Sequence, residues 1–156
     1  MSFTYDRKTF EVDCRAILNE AIRLFHPTYR IVLNFIADAE DAPVDGHPTT
    51  AGLRRGWVDH WYDISESTIH MPLYNWLREW DNRTEARREV AFVILHEVSH
   101  VLMHDAMFCI QEISPAAYKL LAEKQTGNEI RLLRAILEDR KLRSILMPQK
   151  PKRRRK

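Results

Sequence analysis

The stretch EVAFVILHEVSH, residues 89–100, decides the fold because it requires a helix in the protein interior. Its six consecutive apolar residues, Val90–Leu95, would make a helix apolar on every side, which is typical of a buried helix. They are too few to cross a bilayer. Asn82 followed by Glu85 forms a capping-box pattern, so we predict that the helix runs from about residue 83 to residue 104.

The sequence before this helix predicts one helix and then a small sheet. Residues 8–25 have the apolar spacing of an amphipathic helix that ends before Pro27. Residues 37–50 contain two prolines, a glycine and four acids and are interpreted as a surface loop. Residues 75–80 are predicted to form a short helix. The stretches rich in β-branched and aromatic residues, which we interpret as strands, are Tyr29–Ile36, Trp57–Ile64 and Ser67–Met71.

The sequence after the central helix predicts further helices. Pro115 suits the first position of a helix over residues 116–124, and Gly127 then interrupts the chain. Asn128 can cap a last helix, residues 129–146, which Pro148 ends. The order of helix, about three strands and then helices predicts an α+β fold, with one small sheet packed against the helices.

The distribution of charge separates a body, residues 1–148, from a basic tail, residues 149–156. The whole chain has a net charge of +2, but the tail holds six basic residues, which leaves 18 basic and 22 acidic residues in the body. We therefore predict a single domain followed by a disordered tail. An acidic body is a poor ligand for nucleic acid, so binding to nucleic acid or to an acidic partner is expected only of the tail.

The cysteine content and the first residues of the sequence bear on the compartment. The two cysteines form neither a disulfide framework nor a CxxC motif, so a reducing cytoplasm is the expected compartment. The first residues lack the apolar segment of a signal peptide. Neither a secreted protein nor a membrane protein is expected from this pattern.

The segment His96–His100, HEVSH, carries the clearest chemical signal. Residues four apart share one face of a helix, so His96 and His100 can present two imidazole nitrogens to one zinc ion. Glu97 is placed beside the metal, where it can take a proton from an activated water and deliver it to a leaving amine. A chance match of this kind is expected in roughly 2% of chains of this length and composition. We therefore predict a zinc-dependent peptidase that acts on a protein or peptide.

An alternative function remains open at this point. A catalytically silent zinc domain could serve as an adaptor for a protein or for nucleic acid. Glu97 favours the enzyme, because a purely structural site has no need of a base next to its ligand. A closed site with four protein ligands would favour the adaptor.

A third metal ligand is expected on the last helix, which offers three carboxylates. Asp139 ranks first, because apolar residues surround it at helical spacing and a carboxylate on an apolar face requires a cation. Glu129 ranks second, although an acid in a first turn also compensates the helix dipole. Glu138 ranks third, because Arg134 and Lys141 give it the neighbours of a solvated salt-bridged face. Two minor candidates for stabilising an oxyanion are His70 and Tyr118.

The segments HEVSHVLMHD, residues 96–105, and AILEDRKL, residues 135–142, resemble those of known metallopeptidases. The first resembles the active helix of small gluzincin-like enzymes, which have H-E-x-x-H-x-x-x-H. The second resembles the signature N-x-L-E-D-x-R-I of phage and bacterial metallopeptidase domains, with Ala135 in place of the Asn. The predicted layout over residues 60–146 is also similar to that of SprT-like and ImmA/IrrE-like proteases.

This resemblance implies zinc as the cofactor, a C-terminal helix that supplies a ligand, and a sheet edge that binds an extended peptide. The strand before the active helix has that role in such families. Residues 67–71 would be the corresponding edge strand in this chain.

Overall fold

The computed structural model describes residues 2–38, 55–61, 64–114, 116 and 125–148, with the side chains of residues 104–113 and 125–130 excepted. Most of the predicted loop at residues 37–50, the predicted helix at residues 116–124 beyond its first residue, and the basic tail lie outside this description. No helix among the described residues is both long and apolar enough to span a membrane.

The described elements confirm the α+β prediction. The helices are α1 (Arg7–Phe25), α2 (Leu73–Trp76), α3 (Arg83–Ile113), α4 (Gln125–Glu138) and α5 (Arg140–Leu146). The strands are β1 (Phe3–Thr4), β2 (Arg30–Ile36), β3 (Trp57–Trp61), β4 (Glu66–Pro72) and β5 (Glu79–Trp80). The three longer strands form one small sheet, and β1 pairs with β5 in a separate two-stranded sheet.

The order of strands in the larger sheet corrects one expectation. The sheet runs β2-β4-β3, with β2 parallel and β3 antiparallel to β4. Strand β4, which contains residues 67–71, is therefore central, and both of its edges are already hydrogen-bonded. It cannot be the edge strand that receives a peptide. The two edge strands of this sheet are β2 and β3. Of these, β3 directly follows Arg55 and Gly56, which line the cleft described below.

The main hydrophobic core joins the sheet to α1, α3 and α5. Ile69 and Met71 on one face of β4 contribute to it, together with Val90 and Ile94 of α3 and Leu142 of α5, and all five are essentially inaccessible to solvent. Burying five such side chains stabilises the fold by roughly 1.5–3 kcal/mol each before the entropy of ordering them is subtracted. Helix α3 is buried along the face that carries Val90 and Ile94, but Phe92 of the predicted all-round apolar stretch is half exposed, so the expectation of a helix buried on every side is wrong.

Capping groups fix where the main helices begin. Asp6 accepts a hydrogen bond from the Thr9 amide at the start of α1, and Asn82 accepts one from the Glu85 amide at 2.9 Å at the start of α3. The second contact confirms the predicted cap. Helix α3 extends to Ile113, about two and a half turns beyond the predicted end.

A buried polar cluster ties α1 to the beginning of α3. The Asp13 carboxylate accepts a hydrogen bond from the Tyr5 hydroxyl at 3.0 Å and lies 3.6 Å from Arg83 and 3.5 Å from Arg87. Burial is the main cause that raises the pKa of Tyr5, and the neighbouring Asp13 charge adds to it. The cluster keeps α3 in register with α1, and the candidate site lies on the α3 segment that follows.

Candidate metal centre

His96 and His100 are brought together by one turn of α3. Their Nε2 atoms are 3.0 Å apart, their ring centroids are 4.6 Å apart, and the ring planes are nearly perpendicular. In a tetrahedral zinc site with Zn–N bonds of about 2.0–2.1 Å, two ligand nitrogens are about 3.3 Å apart. The two imidazoles therefore already have nearly the spacing that one zinc ion requires, and both side chains are exposed to a ligand from solvent.

Glu97 lies between the histidines in sequence but differs from them in environment. Its side chain is buried, at 7% exposure, whereas both histidines are exposed. The neighbours Leu95 and Val98 belong to the core. A carboxylate that borders the core and also reaches an open cleft is in a suitable place for proton transfer to a bound substrate.

An open cleft begins at His96 and Glu97 and follows α3 toward its N-terminus. Its volume is about 450 Å³, which lies within the usual range of ligand pockets. An ion pair between Arg55 and Glu89, 2.8 Å long, lies in this cleft, and Phe92 lines it although half of its side chain is exposed. The residues that line the cleft are Arg55, Gly56, Glu89, Phe92, Val93, His96 and Glu97.

Gly56 allows the chain that enters β3 to lie directly against α3. A Cβ atom at this position would lie 2.7 Å from Val93 Cγ1 and 3.3 Å from the His70 carbonyl oxygen. Any side chain here would push the strand away from the helix or displace Val93. The glycine therefore sets the distance between the start of the edge strand β3 and the turn of α3 that precedes His96. Its role was not recognised from the sequence, since no local pattern singles it out.

The structure gives Asp139 partners other than the predicted metal. Its Oδ1 accepts hydrogen bonds from the backbone amides of Lys141 and Leu142, which caps α5, and its Oδ2 is paired with Arg23 of α1 at 2.5 Å. Among the side chains that the structure describes, no group of three or more His, Cys, Asp or Glu is placed to hold a metal. The structure therefore does not bring Asp139 together with His96 and His100.

The other two predicted carboxylates differ in what can be said of them. Glu138 is exposed and borders two surface grooves beside Arg140, so it does not join the histidine pair. The side chain of Glu129 lies outside the described residues, although the backbone of α4 is described there. Residue 129 precedes the buried Ile136 by seven residues, about two helical turns, so the two positions lie on the same side of α4.

His70, considered as an oxyanion-stabilising residue, belongs instead to a polar cluster on the larger sheet. Its Nε2 lies 2.8 Å from Asp59 Oδ2, its Nδ1 lies 3.1 Å from Asn34 Nδ2, and its ring stacks on Trp57. Because Ile69 and Met71 face the core and α3, the alternation of β4 directs His70 to the opposite face. Burial is the main cause that lowers the pKa of His70, and Asp59 opposes that effect. Tyr118 lies outside the described residues.

Comparison with known proteins adds no family to this description. No family model, no curated protein and no solved structure matches the chain. The fold is that of an α+β protein whose long central helix presents two converging histidines and a buried glutamate, with His96 and Glu97 at the end of an open cleft.

Proposed function

We propose that the chain is a zinc-dependent metallopeptidase. The observation that carries the proposal is the 3.0 Å approach of the His96 and His100 Nε2 atoms, with the buried Glu97 beside them at the end of the cleft. Two neutral imidazoles can supply two of the three protein ligands of a hydrolytic zinc site, and the neighbouring carboxylate can serve as its general base.

The proposed hydrolysis uses the exposed His96 and His100 as metal ligands and the buried Glu97 as the general base. Bound zinc would supply Lewis acidity, which polarises a carbonyl group and makes water a better nucleophile near neutral pH. His96 and His100 would bind the ion through Nε2 in their neutral forms. Glu97 would accept a proton from the attacking water and donate it to the departing amine, and exclusion of solvent around its carboxylate favours this exchange.

For the third ligand we propose Glu129 in place of Asp139. The Asp139 carboxylate already caps α5 and pairs with Arg23, so metal binding would have to disrupt both interactions. Position 129 lies on the same side of α4 as Ile136, the side that faces the core. A glutamate at this place would complete a His-His-Glu set and leave one position on the ion open for the substrate.

The substrate proposed for this site is an extended segment of polypeptide. Arg55 and Gly56 line the cleft and lead directly into β3, whose outer edge has no neighbour among the described strands. A peptide that adds to this edge would gain main-chain hydrogen bonds and pass close to the histidine pair. Gly56 supports the proposal because it keeps the strand and the helix close together at that point.

The decisive test of the activity is the substitution Glu97→Gln. Glutamine has nearly the same shape but cannot accept the proton, so we expect the variant to keep its fold and its zinc and to lose cleavage by at least a hundredfold. Cleavage would be measured with a fluorogenic peptide library. The exposed Glu79→Gln on β5 provides a control with the same chemical change and should cleave like the wild type. Full activity of Glu97→Gln would exclude Glu97 as the base.

A further inference from the structure

The C-terminal part of the chain has a charge opposite to that of the rest. Residues 131–156 contain 11 Lys or Arg and only two Asp or Glu, whereas the preceding residues contain 13 basic and 20 acidic side chains. The excess of positive charge thus begins within α4, well before the tail. A polyanion would be attracted to this end of the chain and repelled by the remainder.

Four arginines of α4 and α5 differ from most other arginines of the protein. Arg131, Arg134, Arg140 and Arg143 are all exposed, and none of them forms an ion pair with another described residue. Seven described arginines elsewhere do pair with a carboxylate: Arg7, Arg15, Arg23, Arg30, Arg55, Arg83 and Arg87. With respect to the side chains that the structure describes, the guanidinium groups of α4 and α5 therefore keep their donor capacity for a ligand from outside.

The fold of α5 explains why its arginines point outward together. Leu142 and Leu146 are buried against the core, and the opposite side of the helix carries Arg140 and Arg143, one turn apart. These two arginines line a surface groove of about 770 Å³. Arg140 also borders an adjoining groove of about 560 Å³, whose lining has mixed charge because three carboxylates lie beside three basic side chains. One of these carboxylates, Glu138, lines both grooves, so the excess of positive charge is confined to the side of α5 that carries Arg140 and Arg143.

We propose that the α4–α5 basic surface, defined by Arg131, Arg134, Arg140 and Arg143, binds the phosphate backbone of duplex nucleic acid without preference for sequence. The planar guanidinium group donates paired hydrogen bonds that match the oxygens of a phosphate. Arginines on two successive helices supply four such forks. The negative charge of the rest of the chain orients the duplex toward this surface.

The composition of the surface distinguishes duplex nucleic acid from other polyanions. Residues 125–148 include no Phe, Tyr or Trp. Proteins that hold single strands stack bases on aromatic side chains, and helices that lie on membranes use large apolar or aromatic residues to insert. Two large apolar side chains of residues 131–148 are exposed, Leu133 and Met147, and of the two only Met147 lines the groove beside Arg140 and Arg143. The backbone of a duplex requires neither stacking nor insertion.

The test compares two double substitutions that remove equal charge from the full-length protein. Arg140→Gln/Arg143→Gln alters the basic surface, and Arg7→Gln/Arg30→Gln alters two exposed arginines that are already paired with carboxylates. Affinity for a fluorescein-labelled DNA duplex of about 30 base pairs is measured by anisotropy between 50 and 200 mM salt. We expect the first variant to bind at least tenfold more weakly at 100 mM salt. The slope of log K against log salt should also fall by about 1.8, since each lost phosphate contact accounts for about 0.9.

The control variant should bind within twofold of the wild type and keep the wild-type slope. Melting curves followed by circular dichroism establish that both variants are folded, and the single substitution Arg143→Gln, with half the expected change in slope, provides a milder variant. Equal affinity of the two double variants would overturn the proposal, because binding would then come from the tail or from net charge. Failure of the wild type to bind the duplex would also overturn it, as would preferential binding of polyglutamate or of vesicles that contain phosphatidylserine.

Discussion

Asp139 shows what a single residue in a sequence can and cannot reveal. Its apolar neighbours correctly indicate a shielded carboxylate that needs a cation, and only about 5% of its side chain is exposed. The cation that the structure supplies is the guanidinium of Arg23, 116 residues earlier in the chain. The sequence of one helix cannot distinguish a metal from an arginine, because the second partner comes from a distant element that only the fold brings close.

Substitution of Asp139 should therefore affect stability and leave zinc binding intact. We expect Asp139→Ala to lower the free energy of unfolding by about 0.5–2 kcal/mol through loss of the α5 cap. Glu129→Ala should instead weaken zinc binding strongly, because a ligand is lost. Urea unfolding measures the first effect, and competition with a zinc-binding dye measures the second. Release of zinc by Asp139→Ala would restore the original ranking of the two carboxylates.

At the scale of elements, local patterns predicted the main helices and strands better than their ends and neighbours. The predicted helix over residues 129–146 is divided into α4 and α5, because the Asp139 side chain accepts the first amides of α5 and so replaces a helical turn. The predicted helix over residues 75–80 is a short turn of helix followed by β5. That strand pairs with β1, whose sequence separation leaves no local signal. The central position of β4 depends on similar distant pairing.

The contact between the start of β3 and α3 can be tested through Gly56. We expect Gly56→Ala to lower the free energy of unfolding by about 1–3 kcal/mol, since its Cβ would overlap Val93. Val93→Ala should provide room for that Cβ, so the double variant should be more stable than the sum of the two single changes predicts. Denaturant unfolding of all four proteins gives the coupling energy. Strict additivity would show that the two residues are not in contact.

The polar cluster on the larger sheet predicts a dependence of stability on pH. Burial lowers the pKa of His70 from 6.5, so below that pH the unfolded chain takes up a proton that the folded chain does not. The free energy of unfolding should therefore fall as the pH decreases from about 6.5 through the lowered folded pKa, by at most about 1.4 kcal/mol per pH unit. The His70→Gln variant, which has no such group, should lose this contribution.

Urea unfolding of the wild type and of His70→Gln at several pH values between 5 and 8 checks this expectation. As the pH falls, the free energy of unfolding of the wild type should decrease relative to that of His70→Gln. The exposed His26→Asn provides the control, because asparagine also tolerates the left-handed backbone of that residue. A difference between wild type and His70→Gln that stays constant over this range would contradict the account.

At the scale of the whole molecule, the α+β class and the central position of α3 were predictable because they follow from the spacing of apolar residues. The pairing of His96 with His100 was predictable for a related reason, since helical geometry alone places residues four apart on one face. The complete site was not, because the cleft combines α3 with Gly56 of a distant segment and the third ligand depends on how α4 lies. The distribution of charge between the two parts of the chain is visible in the sequence. That the α4–α5 arginines pair with none of the described carboxylates is not.

The zinc content of the purified protein tests the central claim most directly. Elemental analysis of protein prepared without added metal should give about one zinc per chain, because His96 and His100 approach each other at the spacing that zinc requires. The double variant His96→Ala/His100→Ala, prepared in the same way, should contain almost none. A zinc content near zero in the wild type that zinc supplementation does not raise, or full retention of zinc by the double variant, would contradict the account.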